Sequence, residues 1–141
     1  MAFFKKVLKK INGKWYPQAV IVGRPATTDE VADELAEIST VSRGDTYAVL
    51  KNLGKVLSSF MKEGRTVKLE GIGTFYYTIA AKGKGMDKAE DVTAAHIENV
   101  RVRFIPETGR TASGKVSTRS MVSEQIWWEE WKGDDKKKKK P

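Results

Sequence analysis

Along residues 3–22 the chain reads as a β-hairpin. Phe4, Lys6, Leu8 and Lys10 alternate with Lys5, Val7 and Lys9, and residues 15–22 are rich in aromatic and β-branched side chains. Between the two runs, Asn12-Gly13 predicts a two-residue type I′ turn, in which both central residues need positive φ. Pro17 has no N–H to give a sheet, so its strand is expected at an edge or to begin after the proline.

Arg24-Pro25 ends that pattern, and the period then changes to a helical one. Thr27 followed by Glu30 has capping-box spacing, Asp29 and Glu30 suit a helix N-terminus, and Val31, Leu35 and Ile38 form a stripe at i, i+4, i+7. This short helix is expected to end near Ser39. A second helix begins at Ser42, carries Leu50, Leu53, Leu57, Phe60 and Met61 on its apolar face, with Val49 and Val56 flanking, and stops at Gly64. So long a stripe in 141 residues must be covered by other elements of the chain or by a second copy.

Strand patterning returns in residues 65–69. Gly71-Ile72-Gly73-Thr74-Phe75 then makes a glycine turn into a strand running through Ile79. Residues 80–96 show no clear period. Residues 99–105 alternate strictly and read as a return strand that Pro106 ends. Residues 107–120, rich in Gly, Ser and Thr, look like a linker. Residues 121–131 include Trp127, Trp128 and Trp131. A short helix there would put Trp127 and Trp131 on one face, to pack on the domain or a partner subunit. Residues 134–141, two aspartates, five lysines and a proline, are expected to be disordered. There is no internal repeat.

Charge sharpens this outline. The net charge is +8, which favours polyanionic partners. Residues 1–27 carry six basic and no acidic side chains, residues 28–63 four basic and seven acidic, and residues 106–141 nine basic and six acidic. There is no cysteine, which excludes disulfides and fits a reducing compartment. No apolar run approaches the roughly 20 residues of a membrane span, and Met1-Ala2-Phe3-Phe4-Lys5 lacks the order of a signal peptide. A soluble cytoplasmic protein is expected.

The candidate chemistry is that of binding. Arg101 and Arg103 alternate with Val100, Val102 and Phe104, so one strand face is basic and suited to phosphates while the other is apolar. Lys82, Lys84 and Lys88 lie in the flexible segment before that strand, and Lys5, Lys6, Lys9, Lys10 and Lys14 crowd the hairpin. For each, a merely solvated face is the competing reading. The Gly71–Gly73 turn lacks the spacing of a phosphate-binding loop, so its glycines serve the turn and Phe75 the core. His96, the single histidine, has no metal-ligand partner in sequence. Asp29, Glu30, Asp33, Glu34 and Glu37 share one short helix, where capping and solubility account for them. No nucleophile–base pairing is visible, and no enzyme activity, cofactor or small-molecule substrate is expected.

The segment Val67-Lys68-Leu69-Glu70-Gly71-Ile72-Gly73-Thr74-Phe75, preceded by two helices and the Gly64 stop, resembles the signature of the HU/IHF family of bacterial histone-like proteins. Gly71, Gly73, Thr74 and Phe75 match that signature, and Ile72 replaces its first phenylalanine. The resemblance covers about residues 28–105. The added hairpin and tail resemble a longer HU-related subgroup.

The resemblance implies an α+β, HU/IHF-like fold: two N-terminal helices, then a β-sheet with a β-arm, in an intertwined dimer. The domains would be a hairpin extension over 1–27, a DNA-binding domain over 28–106, and a linker and tail over 107–141. It also implies an architectural DNA-binding function in the bacterial nucleoid. A homodimer would hold double-stranded DNA with low sequence specificity through Lys82, Lys84, Lys88, Arg101 and Arg103. One departure stands out: the family's arm-tip proline is missing, because no proline lies between Pro25 and Pro106. Together with a near-neutral arm and the tryptophan tail, this keeps open an HU-like dimer used for protein interaction instead.

Overall fold

The computed structural model describes residues 1–123 and 125–133. The chain divides into two compact units, residues 27–122 and residues 1–26 with the chain from Ser123 onward. The aspartate- and lysine-rich stretch 134–141 lies outside the described residues.

In the 27–122 unit, helices α1 (Thr28–Ile38) and α2 (Arg43–Met61) come first. The Thr27 side chain accepts from the Glu30 N–H while Glu30 accepts from the Thr27 N–H at 2.7 Å, which completes the capping box. Ser42 caps α2 through the Asp45 N–H. Arg43, at the start of α2, reaches back to Asp29, at 2.9 Å, and Asp33 on α1. These carboxylates, Asp33 foremost, hold the guanidinium above its ordinary pKa. The packing face of α1 differs from the expected stripe. Ala32 is fully buried and Leu35 half-buried, whereas Val31 and Ile38 are exposed.

After α2 come strands β3 (Val67–Leu69), β4 (Gly73–Ala81) and β5 (Ile97–Pro106), which form an antiparallel sheet in the order β3-β4-β5. Gly73 is the tight point. Its φ is +154°, and a Cβ there would lie 2.2 Å from the Ile105 carbonyl oxygen and 2.8 Å from the Phe104 ring. Between β4 and β5 the structure corrects the expected β-arm. The paired ribbon ends with a register shift at Ala80/Ala81, and the connection is a loop with two short 3-10 turns, Ala89–Asp91 and Ala94–His96. The glycines and mixed charges of this segment supply no strand alternation.

Residues 107–120, read from composition as a linker, instead form a hairpin of β6 (Thr108–Arg110) and β7 (Val116–Arg119). This hairpin braces the glycine turn. The Glu107 carboxylate accepts from the Gly71 N–H at 2.6 Å, the Glu107 N–H donates to the Ile72 carbonyl, and Ser120 donates to the same carbonyl. The bracing contacts are too distant in sequence for local composition to show.

The other unit is a sheet in the order β2-β1-β8, with β1 spanning Ala2–Lys9, β2 Lys14–Val20 and β8 Trp128–Glu130. Pro17 sits on the edge strand, as its missing N–H requires. The connecting turn is not the expected type I′. Lys9 pairs with Lys14 across four loop residues, Gly13 alone has positive φ, +65°, and its N–H donates to the Lys9 carbonyl. Asn12 uses its side chain, bonding the Lys14 N–H and the Tyr16 hydroxyl.

The expected tryptophan helix is replaced by strand β8, which runs parallel to β1. The Ala2 N–H donates to the Trp127 carbonyl and the Trp131 N–H to the Phe4 carbonyl. Of the three tryptophans only Trp131 packs inward, edge-on to Phe3 with ring centroids 5.0 Å apart.

Candidate nucleic-acid interface

The register of β3, β4 and β5 sorts the sheet into two unlike faces, because residues paired across antiparallel strands point the same way and successive residues alternate. Arg101 pairs with Thr78 and Arg103 with Tyr76. Two residues further along, Ile105 and Thr74 line up with Lys68. Three cationic side chains therefore share one face. Beside them stand Thr74, Tyr76 and Thr78, whose hydroxyls can also bond phosphate.

The opposite face carries Val67, Leu69, Phe75, Tyr77 and Ile79 from β3 and β4, and Val100, Val102 and Phe104 from β5. Phe75 and Phe104 touch, with ring centroids 4.8 Å apart, and Tyr77 meets Ser58 of α2 at 3.0 Å. Yet α2 covers only part of this surface. Val100, Val102 and Ile79 are each more than half exposed, and on α2 Val49, Val56 and Phe60 are also exposed. Among the described residues only Ala32 and Met61 are buried hydrophobics. A chain of this size ordinarily buries a continuous core, so a large apolar surface stands open.

The sequence-predicted site residues divide. Arg101 and Arg103 come together on the basic face as their alternation implied. Lys82, Lys84 and Lys88 lie beyond the paired ribbon, exposed on the loop; the Lys82 N–H donates to the His96 carbonyl. His96 is a capping residue: its Nδ1 accepts the Thr93 N–H at 3.0 Å. No group of three or more metal-ligating side chains occurs among the described residues.

Lys68 was missed because its neighbours Val67 and Leu69 marked only a strand. The signal that recovers it is the pairing of Lys68 with Thr74, which puts it in line with the arginines. The half-buried Glu107 carboxylate 3.8 Å away partners it loosely. The unit as a whole is nearly neutral, with fourteen basic and thirteen acidic side chains in residues 27–122. Five of those acids, Asp29, Glu30, Asp33, Glu34 and Glu37, belong to α1, which leaves the sheet face locally basic. The hairpin lysines Lys5, Lys9, Lys10 and Lys14 are exposed on the other unit, and Lys6 pairs with Glu130 at 3.1 Å.

Among the described residues no helix is long and apolar enough to cross a membrane. No curated protein matches the chain. Among solved structures it is similar to the crystal structure of a "putative bacterial DNA binding protein" from Bacteroides vulgatus ATCC 8482. The TM-score is 0.50 and the identity 16%, over 73% of this chain and 41% of that one, so the chain spans less than half of its structural relative. A family model described as "HU domain fused to wHTH, Ig, or Glycine-rich motif" matches residues 5–121. The helix pair, the glycine turn with its close approach at Gly73 and the two-faced sheet all fall within that match: the chain belongs to the HU-HIG family of HU-like proteins.

Proposed function

We propose that this protein is an architectural DNA-binding protein that acts as a homodimer, binding duplex DNA with low sequence specificity at the bacterial nucleoid. The observation that carries the proposal is the two-faced sheet: Lys68, Arg101 and Arg103 on one side, open apolar surface on the other. A second copy covering the apolar side would leave the two basic faces free for phosphates. HU-family membership and the likeness to a protein described as DNA-binding support the same reading. Charged contacts to phosphate carry no base information, hence the low specificity. Lys82, Lys84 and Lys88 would extend the contact from the loop. Without a ribbon arm or an arm proline to wedge between base pairs, binding rests on charge and shape and bends the duplex only mildly. No catalytic role is proposed.

The testing experiment is a titration of random-sequence duplex at two salt concentrations. With about 4–8 phosphate contacts per dimer, raising salt from about 50 to 200 mM costs roughly two to four decades of affinity. The near-neutral charge of residues 27–122 favours a second reading, an HU-like dimer used for protein interaction. A flat salt response, or no duplex binding at low salt, selects it.

A further inference from the structure

The charge of this chain is not where its HU-like sheet is. Residues 1–26 and 123–141 carry twelve basic and five acidic side chains, net +7, against +1 for residues 27–122. The same small unit holds all four tryptophans, Trp15, Trp127, Trp128 and Trp131. Its sheet also has two unlike faces. On one, Trp131 covers Phe3, Val7, Tyr16 and Val20 are half-buried, and Lys5, Lys9 and Lys14 stand exposed. On the other, Trp15, Pro17 and Ala19 of β2 stand opposite Leu8, Lys6 and Phe4 of β1, and Trp128 of β8 stands opposite Ala2. Trp15 is 66% exposed and Trp128 53%. Phe4, Pro17, Ala19 and Trp128 line an apolar groove of about 400 Å³ on this face.

We infer that this open aromatic face is a second binding site, which takes unpaired bases of single-stranded nucleic acid by stacking. The groove has apolar walls, two of its four residues aromatic. Lys6 is the lysine of this face, Lys5, Lys9 and Lys14 lie on the reverse face, and the unit as a whole is cationic. A ligand that satisfies both is anionic and carries planar apolar groups. Single-stranded nucleic acid does so, because its bases are free to leave the strand and lie on aromatic side chains while its phosphates meet lysines. Duplex DNA does not, because its bases are already stacked inside.

A second copy of the chain is disfavoured, since two units of +7 repel. Lys6, in the middle of the face, is held by an exposed pair with Glu130, its one ion pair among the described residues. Such pairs contribute little, so a phosphate can replace the carboxylate. Trp15 and Trp128 stand six residue steps apart along β1, opposite Leu8 and Ala2. That is a span of about 20 Å, within reach of a few nucleotides.

Because every tryptophan lies in this unit, intrinsic tryptophan fluorescence of the full chain reads stacking at this site. The experiment titrates a 15-nucleotide oligo-dT and, in parallel, oligo-rU, a duplex of equal length and inorganic polyphosphate. Quenching by the single strands is expected, with DNA and RNA as alternative sources of the same chemistry, and polyphosphate is expected to bind without comparable quenching. Trp128→Ala should weaken oligo-dT binding about five- to 150-fold. Trp128→Phe should recover most of the loss, Trp15→Ala should weaken binding from the other end of the face, and Trp127→Ala should change little. Arg101→Ala with Arg103→Ala should leave oligo-dT affinity unchanged while weakening duplex, which separates this site from the one proposed above.

Absence of single-strand quenching would overturn the inference. So would wild-type oligo-dT affinity in both Trp128→Ala and Trp15→Ala. A fall in sedimentation mass in Trp128→Ala, with oligo-dT binding intact, would mark the face as a contact between copies and equally overturn it.

Discussion

Val102 is the position where a single substitution separates a dimer from a lone chain most sharply. It lies in β5 opposite Tyr77 on the apolar face and is 60% exposed in one chain. On an isolated chain, Val102→Asp alters an exposed strand position and costs about 1 kcal/mol or less, mostly lost strand propensity. If a second copy covers the face, the cost is of another order. Full burial of a valine contributes about 1.5–3 kcal/mol, so the uncovered part of Val102 is worth about 1–2 kcal/mol per subunit on association. An unpaired carboxylate in the same place adds several kcal/mol more for lost hydration.

With two copies per dimer, association weakens by roughly 5–10 kcal/mol, enough to dissociate a dimer of nanomolar affinity at micromolar concentration. Sedimentation equilibrium from about 1 to 100 µM reads this directly. Wild type should run as a dimer, Val102→Ala as a weakened dimer, and Val102→Asp as a monomer or unfolded chain. The sign of the pH response is a second check. Apolar surroundings raise the pKa of the introduced carboxyl, and its neutral form is the one the interface tolerates, so association should recover as pH falls below that raised pKa. Wild-type mass and wild-type melting in Val102→Asp would refute the dimer that covers this face.

Gly73→Ala should destabilise by about 2–5 kcal/mol, from a backbone clash with Ile105 added to unfavourable φ, whereas Gly71→Ala, with positive φ but open space around it, should cost only about 1–2 kcal/mol. Equal losses in chemical denaturation would mean that the close approach at Gly73 is not what requires glycine. Thr27→Ala removes one half of the capping box at α1 and should cost about 1 kcal/mol, read as a lowered melting temperature with unchanged duplex affinity. Melting temperature should also rise with protein concentration, as unfolding coupled to dissociation demands; a concentration-independent transition would count against an obligate dimer.

Elements governed by local chemistry were legible in the sequence. Thr27/Glu30 and Ser42/Asp45 mark the helix starts, and the alternation of Val100 to Phe104 separates two faces before any partner strand is known. What escaped depends on contacts distant in the chain. The 107–120 hairpin is held by Glu107 and Ser120 reaching back to Gly71 and Ile72, and β8 forms only because β1 offers a free edge. Lys68 joins the basic face through a register that composition does not encode. The turn at Asn12-Gly13 shows a local signal outweighed by its surroundings: Asn12 is worth more bonding Lys14 and Tyr16 than adopting positive φ. On α1, Val31 and Ile38 form the stronger hydrophobic pattern, yet Ala32 is the residue buried in one chain, because burial follows which face meets the rest of the fold and not side-chain hydrophobicity alone.

The most direct test of the duplex interface compares wild type with Arg101→Ala/Arg103→Ala on random-sequence duplex, by fluorescence anisotropy at several salt concentrations, with melting followed in parallel. Both arginines lie on the open polar face of β5, away from Val100, Val102 and Phe104. Removing exposed charges there should shift stability by less than about 0.5 kcal/mol. Affinity should fall about equally for unrelated sequences, and the slope of log K against log salt should flatten by about 0.9 for each phosphate that is no longer neutralised. Unchanged melting with unchanged duplex affinity and slope would contradict the proposal that this sheet face holds the DNA.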